Sequence, residues 1–299
     1  MIYRRFFAFS YPDSLPRWDV VMSDSTPDAI DRPPRQLSSL TLGARLLSLD
    51  LRRQAWTRKT LILLAIQLLP AFIAIFTVFG GDSGGVSTFR GTVSSVYLPL
   101  LLPLAALFFG GPTIVDEVED RTITYLMLRP LSRSVLYLSK LATSIILAVG
   151  VTIIPILILF AICIMAAPGE FGDGLTVLGS AMASVTVGAI AYTSLFALLG
   201  VIFASTLLPG IVYYIVFELI LATVPIVEVL SVKFHIYTVG GFDRRAPSED
   251  PTLRERLEMM LLDQPMDLDW WTGLVAVSLF TFATIAIATV IFRNRQFHV

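Results

Sequence analysis

Between Val115 and Lys140 the chain reads VDEVEDRTITYLMLRPLSRSVLYLSK, a charged segment set between uncharged runs. Asp116, Glu117, Glu119 and Asp120 crowd one end, Arg121 follows, and Arg129, Arg133 and Lys140 occupy the other. Acids suit a helix N-terminus, whose unpaired amides favour negative charge. Glu117 and Arg121 are spaced to pair on one helix face. Pro130 stops that helix at or before Arg129, and Ser132 or Ser134 can cap the next one. The chemistry of such a segment is docking by charge rather than bond making. A short, rigid helix of this kind fits a socket in a partner protein.

The flanking runs 91–114 and 141–169 carry no charge, whereas the segment's ionisable side chains cannot sit in hydrocarbon. The segment is therefore a wet loop between two membrane spans. Glu119-Asp120-Arg121-Thr122, Tyr125-Leu126, Arg129-Pro130-Leu131-Ser132-Arg133 and Lys140 resemble the first cytoplasmic loop of ABC-2 type transporter permeases. The resemblance implies the transmembrane subunit of an ATP-driven exporter. It implies two permeases, as a homodimer, above two ABC ATPase subunits, with ATP and magnesium on the ATPase and no cofactor in this chain. The coupling residues carried over are Glu117, Glu119, Asp120, Arg121, Thr122, Tyr125, Arg129, Pro130 and Arg133. Glu119 and Arg121 would touch the ATPase, while Arg129 and Arg133 would hold the loop at the anionic inner leaflet. The competing reading of the same residues is a charged loop that only sets topology.

Catalytic signatures are missing. No G-x-x-x-x-G-K-[ST] is present to cradle phosphates, and neither H-E-x-x-H nor G-x-S-x-G occurs. His235 and His298 are the two histidines, and His235 reads as an exposed loop residue. The single cysteine, Cys163, lies in an apolar run, so it forms no intrachain disulfide and reads as a small buried hydrophobe. No catalytic residue, metal site or nucleic-acid partner is expected.

The 299 residues are 55% hydrophobic and only 15% charged, with mean hydropathy +0.77 and net charge −1. Soluble domains carry roughly 25% charge, so this is a membrane protein. Continuous apolar runs favour helices over a barrel. The expected fold is an all-α polytopic membrane protein. It has six transmembrane helices, an N-terminal amphipathic interfacial helix and a cytoplasmic coupling helix. Residues 1–36 are expected to be a disordered cytoplasmic tail, with Met22 a candidate start, and 37–299 the ABC-2 type transmembrane domain. Leu40, Ala44, Leu47, Leu51 and Ala55 follow helical spacing, with Thr41, Arg45, Ser48 and Arg52 on another face. That pattern suits a helix in the membrane surface or one packed on a partner.

The spans are expected at about 61–80, 94–115, 141–166, 178–206, 211–230 and 271–292. Pro99 and Pro103, one turn apart, should bend the second. The uncharged stretch 174–217 is too long for one crossing, and Pro209-Gly210 is the expected break. Ser180, Ser184 and Gly188 form a small-residue stripe read as close packing. Glu218, roughly 10 Å into the fifth span, is an intramembrane carboxylate: a functional candidate, or a hydrogen-bonded structural group. Glu228 is expected at the interface. Residues 231–269 are expected to be the longest soluble loop, with a short helix at Pro251–Leu262. Of 22 Lys and Arg residues, 16 fall on the inner side when both termini are cytoplasmic. That orientation puts the 116–140 loop where ATP is, in a plasma (inner) membrane protein. The alternatives are a standalone secondary transporter using Glu218 as proton site, and a non-transporting scaffold that recruits an ATPase.

Overall fold

The computed structural model describes residues 39–80, 84–113, 133–203, 206–220, 228–242 and 269–294, with backbone only at 39–42 and Arg133. The expected tail, the charged helix between 116 and 132, and the expected helix at Pro251–Leu262 lie outside the described residues. The elements in chain order are α1 (Ser39–Ala55), α2 (Arg58–Gly80) and α3 (Gly85–Thr92). A π-helical stretch, Val93–Leu101, leads into α4 (Leu102–Gly110). Then come α5 (Arg133–Ala166), a 3-10 turn at Pro168–Glu170, and α6 (Phe171–Ile202). The chain continues with α7 (Leu207–Tyr213) and a second π-helical stretch, Tyr214–Ile220, then α8 (Val232–Gly240) and α9 (Trp270–Asn294).

Among the described residues, five helical segments are long and apolar enough to cross a membrane: Arg58–Gly80, Gly85–Gly110, Ser134–Ala166, Pro168–Ile202 and Trp270–Asn294. The chain is an all-α, multi-pass membrane protein. Of the expected fifth of six spans, the described residues include the apolar helical segment Leu207–Ile220, and 221–227 lie outside them.

Several boundaries differ from expectation. The second span starts at Gly85 rather than 94, because the glycine turn ends there and Arg90 is carried inside the helix. The third starts at Arg133, so Lys140 lies on a helix and not in a loop. With 34 residues that helix is about 51 Å long, and its first turns can stand clear of hydrocarbon. The fourth span starts at Phe171, immediately after the 3-10 turn. The break after it falls at Phe203, where the backbone is extended, and not at Pro209-Gly210. Pro209 instead sits in the first turn of α7, where a helix needs no amide from it.

α6 is the central helix: α4, α5, α8 and α9 all pack on it. Its small residues permit the close approach. A Cβ on Gly188 would stand 2.6 Å from the Ile236 side chain and 2.7 Å from that of Leu102. Ser184 Oγ donates to the Ile236 carbonyl at 3.0 Å. The Ser184 and Gly188 positions of the stripe are thus packing contacts for α8 and α4. At its other end α6 joins Tyr137 and Leu141 of α5 and Phe292 of α9 in a second apolar cluster. The outward faces of α2 (Ile62, Phe72, Phe76) and α9 (Leu279, Phe282) are exposed and apolar, as lipid requires.

Two polar ties fix the ends of this bundle. Glu170 Oε2 accepts the Val86 amide at 2.8 Å, capping α3 from the α5–α6 turn because Gly84 offers no side chain. There Gly85 lies so close to α5 that a Cβ would stand 2.4 Å from the Cys163 carbonyl. In α1 the expected polar face is exposed at Arg45, Ser48 and Arg52, while Leu47, Leu51 and Ala55 are half-buried. Ala44, expected on the apolar face, is exposed. α1 packs along α5, where Asp50 pairs with Lys140 at 2.8 Å. Lys140→Asp is expected to lower stability by about 1 kcal/mol in detergent unfolding, and the Asp50→Lys/Lys140→Asp swap to recover most of it.

Candidate functional site

The most unusual backbone in the bundle is the π-helical stretch of the second span. Its hydrogen bonds run from residue i to i+5; the Leu102 amide, for example, donates to the Tyr97 carbonyl. In that register the Ser94 carbonyl would meet residue 99, and in the α-register that follows the Pro99 carbonyl would meet residue 103. Both positions are proline and bring no amide. The two prolines therefore release two carbonyls inside the bundle.

Each released carbonyl is taken by a tyrosine from another element. The Tyr237 hydroxyl, on α8, donates to the Ser94 carbonyl. The Tyr214 hydroxyl, at the start of the second π-helical stretch, donates to the Pro99 carbonyl. A third polar group meets the same stretch: Gln67 Nε2 of α2 donates to the Leu101 carbonyl at 3.4 Å and to Thr152 Oγ1 of α5 at 3.1 Å. Tyr97 returns a bond to the Gln67 carbonyl at 2.8 Å. An unpaired carbonyl in an apolar interior costs about 1–3 kcal/mol, so these partners fix where α7 and α8 sit on the second span.

Glu218 completes the arrangement. It lies in the second π-helical stretch and is 2% exposed. Its carboxylate accepts Ser231 Oγ at 2.6 Å, the Val232 amide at 3.2 Å and the Lys233 amide at 3.4 Å. The Tyr213 hydroxyl donates to it at 3.4 Å, and Tyr192 of α6 lies beside it. Tyr213 and Glu218 are five residues apart, a spacing the widened turns bring to one side. Val232 and Lys233 open α8, and the N-cap residue Ser231 makes no cap bond to its own helix. Glu218 therefore caps α8 from another element, where the helix dipole favours negative charge. Around it Tyr192 stacks on Phe196, and Tyr213 on Phe217.

Of the sequence candidates, Glu218 is thus a buried, hydrogen-bonded carboxylate. Glu117, Glu119, Asp120, Arg121, Thr122, Tyr125, Arg129 and Pro130 lie outside the described residues, as does the Arg133 side chain. One expectation is corrected. His235 is half-buried on α8, with Nε2 2.8 Å from the Val229 carbonyl, because 232–240 is a packed helix and not part of a soluble loop. Glu228 is packed against protein, 7% exposed, in the turn that leads to α8. The sequence reading missed Tyr192, Tyr213, Tyr214, Ser231 and Tyr237. The available signal was Pro99 and Pro103, whose lost amides demand donors from elsewhere.

No curated protein matches the chain. The family described as ABC-2 family transporter protein matches residues 51–225, a range that runs from the end of α1 past Glu218. That range covers more than half of the chain and contains both π-helical stretches. The chain belongs to the ABC-2 transporter family and is a permease of an ABC-type transporter.

Proposed function

We propose that this chain is the transmembrane subunit of an exporter driven by a separate ATPase, coupled through its 116–140 segment. ATP and magnesium bind the ATPase, and this chain performs no catalysis. Two copies form a homodimer in the plasma (inner) membrane, with both termini and the charged segment cytoplasmic. Glu119 and Arg121 meet the ATPase, with Glu117, Asp120, Thr122 and Tyr125 on the same helix. Pro130 ends that helix, and Arg129 and Arg133 hold it at the anionic leaflet. The transmembrane domain begins near residue 37.

One observation carries this reading. The second span is a continuous helical rod that ends a few residues before the charged segment, and its middle is hydrogen-bonded to α7 and α8. A push on the charged segment therefore has a direct mechanical route to the carbonyls that seat those two elements. The test is Glu119→Arg in vesicles holding permease and ATPase. Transport-coupled ATP hydrolysis is expected to fall to the basal level, with insertion unchanged. Normal transport in that variant, or transport by the permease alone, overturns the proposal.

A further inference from the structure

We propose that Glu218 is a charge-dependent latch: as an anion it holds α8 against the second span, and its protonation loosens α8. The argument is geometric. The Val232 and Lys233 amides can only donate, and both donate to the carboxylate, at 3.2 Å and 3.4 Å. They bind an anionic oxygen more strongly than a neutral one. The Ser231 and Tyr213 hydroxyls, at 2.6 Å and 3.4 Å, can turn to serve either form, so the difference between the two forms falls on the amides that open α8.

α8 has nine residues, too few to be stable without packing. Its polar ties to the bundle include Ser184 Oγ to the Ile236 carbonyl, the Tyr237 hydroxyl to the Ser94 carbonyl, and Glu218 at its N-terminus. The first two are neutral pairs. Glu218 alone among the three changes charge on acidification. Bonds to a charged acceptor are roughly twice as strong as neutral ones, so protonation weakens the seat at its N-terminal end only. The sign is fixed: the latch is closed at high pH and opens as pH falls.

Other titratable groups face the site. Tyr192 comes from α6, and Tyr213 and Tyr214 from the helix that carries Glu218. Glu228, Lys233, His235 and Tyr237 come from α8 and the turn before it. The tyrosines stay in one form through the acid range. Lys233 Nζ lies over the Tyr237 ring, 5.9 Å from its centre. His235 and Glu228 remain as competing sources of pH dependence.

The experiment is hydrogen exchange on the full chain in nanodiscs without any ATPase, corrected for intrinsic exchange at each pH. Its outcome is independent of the coupling reading, since no nucleotide or partner is present. Protection of Val232–Gly240 is expected to fall about threefold or more between about pH 8 and about pH 4, a range that carries an ordinary glutamate through proton uptake, with α6 protection unchanged. In Glu218→Gln, α8 protection should be low and flat across the range. His235→Asn and Glu228→Gln should keep the wild-type profile. Wild-type protection that ignores pH overturns the latch without recourse to any variant. So does a pH profile that survives in Glu218→Gln, or one that disappears in His235→Asn or Glu228→Gln.

Discussion

Gly110→Val is expected to destabilise the bundle by about 3 kcal/mol, the largest single effect among these substitutions. Where the second span ends, a Cβ at Gly110 would stand 2.6 Å from the Thr193 carbonyl oxygen of α6. That neighbour is backbone, held inside a helix, and cannot turn aside as a side-chain tip can. The same crossing holds Gly200 and Gly111, where a Cβ on Gly200 would lie 2.5 Å from the Gly111 carbonyl and Thr206 Oγ1 donates to that carbonyl at 3.0 Å. Even Gly110→Ala should show most of the effect, because the first carbon already collides. Gly150 of α5 is the control: nothing lies within 4 Å of its would-be Cβ. Gly150→Ala should be neutral or gain about 0.5–1 kcal/mol from helix propensity. Apparent melting temperatures in detergent separate the two outcomes, and equal behaviour at both glycines would contradict the crossing.

Tyr237→Phe and Tyr214→Phe should each cost about 1–3 kcal/mol, for a reason that can be isolated. Removing either hydroxyl strands a carbonyl that proline has already deprived of its helical partner. Pro99→Ala returns an amide to the Ser94 carbonyl, so Tyr237→Phe should cost much less in that background. Tyr214→Phe should not be rescued by the same change, because its target is the Pro99 carbonyl itself, left by Pro103. A double-mutant cycle measures this asymmetry. Equal rescue of both tyrosines would mean that Pro99→Ala stabilises by some other route.

Hydropathy and charge made the helical class, the long apolar segments and the family legible, because each is local: a span is a run, and the resemblance is a short string. Proline marked the irregular part of the second span, although its form as widened turns depends on packing against Tyr214 and Tyr237. What escaped was non-local. A buried α8 inside a stretch rich in acids and bases reads as loop, since its nine residues are stabilised by Ser184, Ser94 and Glu218 from three distant places. Glu218 stood out as a carboxylate within an apolar run, but its role as cap for α8 needed the position of Val232. The break at Phe203 was misplaced to Pro209 because a proline in a first turn and a proline between helices look alike in sequence.

The tie from Glu170 to the Val86 amide, together with the contact of Gly85 on Cys163, has a consequence for how the second span can move. Its Gly85 end is moored there, and the Gly110 crossing moors its other end, so neither is free to swing. Each widened turn stores one surplus residue relative to a regular helix. Passing that surplus along the shaft would rotate the portion it crosses by about 100°, with both moorings intact. A change that spares both moorings is thus a twist of the middle of the second span rather than a tilt of the whole.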